Sequence, residues 1–140
     1  NLMGNVSTSK INFENVQEAT KTNSIILINT LSRESQGCLI KGTIVADKEE
    51  TLINECLKKN KNVTIFIYGR NNNDETVIQK HKQIIALGFK NVYVYSGGLF
   101  EWLLMQDIYG EENFPTTTKE LDILRYKPTS CFSSSLIVYR

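Results

Sequence analysis

Residues 62–102 read NVTIFIYGRNNNDETVIQKHKQIIALGFKNVYVYSGGLFEW, and the fold follows from this stretch. Residues 62–68 (NVTIFIY) are β-branched or aromatic at nearly every position, as a strand covered on both faces must be. Asp74 can cap a helix running to about Leu87. Its apolar stripe is Val77, Ile78, His81, Ile84 and Ile85, with Gly88 as the residue that ends it. Residues 91–95 (NVYVY) form a second strand of the same kind. Gly97-Gly98 then leads into an apolar helix over 99–108, which Gly110 breaks. Two strands joined through such a helix require a parallel pair and a right-handed crossover.

The same alternation extends outward. Residues 24–30 (SIILINT) read as a third buried strand and 42–46 (GTIVA) as a shorter one. Residues 47–60 read as a helix capped by Asp47, with Leu52, Ile53, Cys56 and Leu57 on one face and Lys58 and Lys59 at its negative end. Residues 11–21 suit a short strand and helix. Beyond Gly110, 114–118 form a turn in which Thr118 is placed to cap 119–124, while 130–140 stay ambiguous. The expectation is one α/β domain over 10–127, with a mostly parallel sheet and helices on both faces. A flexible segment, 1–9, precedes it, and a tail, 128–140, follows.

Composition narrows the function classes. Among 140 residues, 16 Lys+Arg face 15 Asp+Glu, leaving a net charge of +1. That is no cationic face for nucleic acid. One His and three scattered Cys (Cys38, Cys56, Cys131) cannot build a four-ligand zinc site, so neither a metal nor another cofactor is expected. No CxxC, secretory leader or apolar run near the ~18 residues of a membrane span is visible, so a small soluble intracellular domain is expected.

The N-terminus carries a separate signal. Asn1-Leu2 reads as a cloning remnant before Met3 as the native start. Met3-Gly4-Asn5-Val6-Ser7-Thr8 then fits the acylation pattern in which Gly4, freed of its methionine, receives a myristoyl group. One such chain gives only marginal, reversible membrane binding, and Lys10 alone adds little to it.

Three segments in order resemble a rhodanese domain: the strand IILINTL with Ile40-Lys41-Gly42 after it, the strand-loop-helix IFIYGRNNNDETV, and LGFKNVYVYSGGLFEW. The last is the most specific, with Gly97-Gly98 after its strand and Trp102 four residues beyond. The resemblance covers about residues 10 to 107 and implies a five-stranded parallel sheet flanked by helices. It also implies sulfur transfer: a cysteine opening the loop after the central strand takes up sulfane sulfur as a persulfide, helped by backbone N–H groups at a helix N-terminus.

This chain departs from the pattern at the decisive position. The family's strand ends Tyr-Cys and continues Arg-Ser-Gly-x-Arg. Here it ends Tyr68-Gly69 and continues Arg70-Asn71-Asn72-Asn73-Asp74. Gly69 cannot carry a persulfide, and the loop's later arginine falls near Asn73 or Asp74. An unpaired carboxylate roughly 4 Å from a bound anion costs about 1 to 4 kcal/mol. Asp74 has a simpler role as a helix cap, occupying N–H groups that an active member offers to sulfur. Cysteine-dependent phosphatase chemistry is lost with the same substitution. The earlier strand departs too: Asn29, Thr30 and Leu31 stand where rhodaneses usually carry Asp-x-Arg.

Other residues are candidates to replace the missing cysteine, and each has a plainer role. Cys56, on an apolar helix face, reads as a packed small hydrophobe. Cys38 precedes Ile40-Lys41-Gly42, away from the family's catalytic pocket, and Cys131 lies in the ambiguous tail. His81, at helical spacing with isoleucines, reads as a packing residue, since a general base needs a nucleophile within reach. Phe100, Trp102, Leu103 and Leu104 read as core, with a partner surface as the other use. The sequence therefore predicts a catalytically inactive binding or scaffolding module with an unidentified protein partner. Its candidate binding loop is Gly69, Arg70, Asn71, Asn72, Asn73 and Asp74, and Gly4 is its candidate lipid site. The alternatives are a sulfurtransferase using another cysteine and a small-ligand sensor using the emptied loop pocket.

Overall fold

The computed structural model describes residues 9–132. Gly4 and the myristoylation pattern lie outside the described residues, as do positions 133–140 of the tail. Five strands, β1 (Lys10–Ile11), β2 (Ile25–Asn29), β3 (Thr43–Ile44), β4 (Thr64–Tyr68) and β5 (Asn91–Tyr95), form one sheet in the order β1-β5-β4-β2-β3. Every pair is parallel. Four helices accompany them: α1 (Phe13–Ala19), α2 (Ala46–Lys59), α3 (Glu75–Ala86) and α4 (Gly98–Tyr109).

Side chains alternate strictly along the strands, so each face of the sheet carries its own core. Leu27, Phe66, Tyr68 and Tyr95 face α1 and α4, where Val16, Ala19, Leu99, Trp102 and Leu103 close over them. Ile28, Ile65, Ile67, Val92 and Val94 face α2 and α3, meeting Ile53, Val77 and Ile84. Fully burying one such side chain contributes about 1.5–3 kcal/mol. Trp102, wholly buried, donates Nε1–H to Pro115 O at 3.1 Å and stands edge-on to Phe114 and Tyr95. The Phe100–Leu104 cluster is thus divided: Trp102 and Leu103 are core, whereas Leu104 is 39% exposed.

Two expected caps are corrected. Helix α2 begins at Ala46 with Val45 as its N-cap, so Asp47 sits inside the first turn and pairs with Arg33 at 3.4 Å, both side chains well exposed. Ala46 N–H is taken instead by Gln36 Oε1 at 3.0 Å. Thr118 caps no helix. Its hydroxyl donates to Gly37 O at 3.0 Å, and the next helical turn along the described chain is a 3-10 turn at Ile123–Tyr126. In both cases a polar partner distant in sequence outcompetes the local cap.

Candidate functional site

Strand register builds the site. Asn29 pairs with Tyr68, and Tyr68 with Tyr95, so β2, β4 and β5 end level with one another. The chain after each strand therefore gathers at one carboxyl edge, where α/β sheets place their ligands. Asn29, only 3% exposed, ties off β2: its Oδ1 accepts from Leu31 N at 3.0 Å and Gln36 Nε2 at 2.8 Å, and its Nδ2 donates to Ile44 O at 3.2 Å. Tyr68 accepts from Ile40 N at 3.0 Å, and Tyr95 donates to Glu101 Oε1 at 2.6 Å. Burial raises the phenol pKa of both tyrosines, and the bond to Glu101 adds to the shift at Tyr95.

The loop 69–74 is closed upon itself. Asp74 caps α3: Oδ1 accepts from Thr76 N at 3.1 Å, and Oδ2 accepts from Arg70 N at 2.9 Å. Thr76 Oγ1 lies 2.9 Å from Thr30 Oγ1, joining the loop to the end of β2. At Gly69 a side chain would displace its neighbours. A Cβ built there would lie 2.6 Å from Val77 Cγ2, 2.7 Å from Thr30 Oγ1 and closer still to Asp74 Oδ2. Gly98 holds the other wall. Its φ is +68°, and a Cβ would meet Asn71 N and Gly69 O at 2.8 Å. Glycine at 98 serves both the backbone angle and the close approach.

Several of the N–H groups expected to be free at the helix N-termini are already bonded. Leu99 N donates to Gly69 O at 2.9 Å and Phe100 N to Arg70 O at 2.8 Å, so the loop's carbonyls occupy the start of α4. At α3, Asp74 occupies Thr76 N. The emptied pocket expected at position 69 is filled by Asp74, Val77 and Thr30.

A second segment lies across the loop, unmarked by any motif in the sequence. Arg70 Nη2 donates to Arg125 O, Asn71 Nδ2 to Tyr126 O at 2.7 Å, and Asn73 Nδ2 to Thr129 O at 3.3 Å. Asn71 is 7% exposed, and its Oδ1 accepts from Asn73 N at 2.8 Å. The Tyr126 ring is 1% exposed, with the Arg70 and Arg125 guanidinium carbons 5.4 and 5.1 Å from its centroid. Arg70, the loop's cation, is therefore spent on a chain segment. Asn72 is exposed.

The remaining candidates are scattered. Cys38 is buried, its Sγ directed at Thr118 O at 3.4 Å. Cys56 is half-buried against the α2–α3 side of the core, and burial raises its thiol pKa. Cys131 is exposed. His81 packs beside β5 with Nε2 3.3 Å from Val92 O. An open cleft of about 710 Å³ lies beside the loop, lined by Thr30, Thr76, Glu49, Lys80 and Gln83 among others. Glu49 and Lys80 pair within it at 2.6 Å. Among the described residues no group of three or more His, Cys, Asp or Glu is placed to hold a metal, and no helix is long and apolar enough to cross a membrane.

The family model described as Rhodanese-like domain matches residues 13–105. The solution structure of the Rhodanese-like domain from the Alr3790 protein of Anabaena sp. aligns with a TM-score of 0.58 at 19% identity, covering 91% of this chain and 89% of that one. A crystal structure of the Alr3790 protein aligns at 0.57 and 20% identity, covering 81% and 83%. The BH2092 protein of Bacillus halodurans aligns at 0.55 and 16%, covering 74% of each chain. Identities this low speak for the fold alone. No curated protein matches the sequence.

Proposed function

Because the chain belongs to the rhodanese-like domain family, we propose that it is a member without sulfur-transfer chemistry of its own, acting as a binding or scaffolding module. The observation that carries this reading is the state of position 69. It lacks a nucleophile, and the space a cysteine side chain would fill is held by Asp74, Val77 and Thr30. Persulfide chemistry needs a thiolate facing free N–H donors. Here Asp74 takes the Arg70 N–H, and Arg70 itself is turned onto the 125–126 backbone.

A thiosulfate:cyanide assay on the full chain tests the reading. No turnover above the uncatalysed rate is expected. Turnover that disappears in Cys38→Ala or Cys131→Ala would overturn it. One observation favours that second reading, sulfur transfer through a recruited thiol. Cys131 is exposed and only two residues beyond Thr129, whose carbonyl is held by the loop's Asn73.

Attachment to a membrane through an acylated Gly4 belongs to the same proposal. Its support is the Met3–Thr8 pattern alone. Mass spectrometry of the protein from its own cell should find a myristoyl group on Gly4, and an unmodified glycine removes the membrane from the function. The partner sought is a protein, with no nucleic acid expected at a net charge of +1.

A further inference from the structure

The loop 69–74 grips a peptide, and that peptide is the chain's own segment 122–129. Three side chains of one loop, Arg70, Asn71 and Asn73, donate to three main-chain carbonyls, those of Arg125, Tyr126 and Thr129. Taken from the tyrosine, the carbonyls are at positions −1, 0 and +3. Donors aimed at carbonyls recognise a backbone path rather than a sequence. The one fully buried side chain is Tyr126, joined to the α1–α4 core on which half-buried Ile123 also packs, and two guanidinium groups lie over its ring. An aromatic anchor in a closed pocket surrounded by backbone hydrogen bonds is the arrangement by which peptide sites obtain affinity and register.

The rest of the segment, Ile123 apart, contributes little to holding it. Leu121 is 83% exposed and Leu124 62% exposed, and Asp122, Arg125, Lys127 and Thr129 are exposed as well. A ligand held by one ring, one half-buried isoleucine and three hydrogen bonds can be exchanged for another of the same design. Within the loop itself, Asn71 Oδ1 accepts from Asn73 N, which orients the Nδ2 that donates to Tyr126 O.

We propose that the 69–74 loop is a peptide-binding site whose resident ligand is segment 122–129. Its partner is a protein segment presenting a tyrosine and free carbonyls at −1, 0 and +3, which competes with that resident. This rests on reading the loop as a binding element rather than a catalytic one, and the sulfur-transfer assay tests that reading separately. Turnover would remove the binding-module reading without touching peptide binding, whereas failed peptide binding leaves the inactive reading standing.

The test uses full-length Tyr126→Ala and a labelled peptide of residues 120–132 with Cys131 replaced by Ser. The variant, verified as folded by circular dichroism, should bind the peptide saturably. Wild type should bind it at least about tenfold more weakly, because its site is filled. A peptide carrying Tyr126→Ala should not bind, and Asn71→Ala in the variant should weaken binding by about tenfold. No binding to the folded variant, or equal binding to variant and wild type, overturns the proposal. Should Tyr126→Ala not fold, Arg70→Ala/Asn73→Ala decides. It should speed tryptic cleavage at Arg125 several-fold, and cleavage at the wild-type rate refutes the grip.

Discussion

At Gly69 three neighbours crowd a position that belongs to a cysteine in the family pattern. Returning the thiol is therefore a packing problem before it is a chemical one. Gly69→Cys should destabilise by about 1–3 kcal/mol, the usual cost of forcing atoms into a filled core. Asp74→Ala should cost about 0.5–2 kcal/mol through loss of the α3 cap. Because Asp74 Oδ2 is the atom nearest the new Cβ, the double variant should lose less than the sum. Urea unfolding of all four proteins reads the coupling, and an additive result would place the obstruction at Val77 or Thr30 instead. The substitution itself was legible from the sequence once Tyr68-Gly69-Arg70 aligned with Tyr-Cys-Arg. The closure of the space was not. Thr30 and Val77 reach it from β2 and α3, and neither residue type announces that it fills a pocket.

Among the elements, β2, β4, β5, α3 and α4 emerge close to where the residue periodicity sets them, since both faces of each central strand are buried and both helices carry long apolar stripes. The two misplaced caps are polar residues in exposed turns, where several acceptors compete and tertiary partners decide. Helix α4 depends on a single backbone angle. Gly98→Ala must bear φ = +68° and a contact at 2.8 Å with Asn71 N and Gly69 O. Left-handed backbone alone costs a residue with a Cβ roughly 1–2 kcal/mol. The variant should therefore melt several degrees lower than wild type, whereas Gly97→Ala, which meets only the movable Glu101 side chain, should lose less. Equal melting of the two would contradict the role given to Gly98.

At the scale of the molecule, Tyr68 and Tyr95 are the described titrating groups with the largest displacement, both held protonated by burial on the α1–α4 side of the sheet. Their folded pKa lies above the unfolded value of about 10. Their contribution is therefore complete below that pH and is lost as pH rises beyond it, where the unfolded chain releases protons the folded one keeps. Stability should hold through neutral pH and fall above about pH 10. Tyr95→Phe should flatten part of that fall, and an unchanged slope in chemical denaturation would show that Tyr95 does not carry it.

The alternation of strands and helices, the parallel sheet and the glycine at position 69 were all determined by the sequence, because each is written in residue types at short spacing or at one position. The state of the site was decided only by the tertiary structure. Asn71 meets Tyr126 across 55 residues, and what it meets is a main-chain carbonyl, a group every residue possesses and no residue type marks. The path that brings that carbonyl to the loop depends on one fully buried tyrosine in a segment that, Ile123 and Pro128 apart, is exposed. A periodicity reading assigns such a segment to a surface helix or a tail, and only packing shows that it lies across the loop.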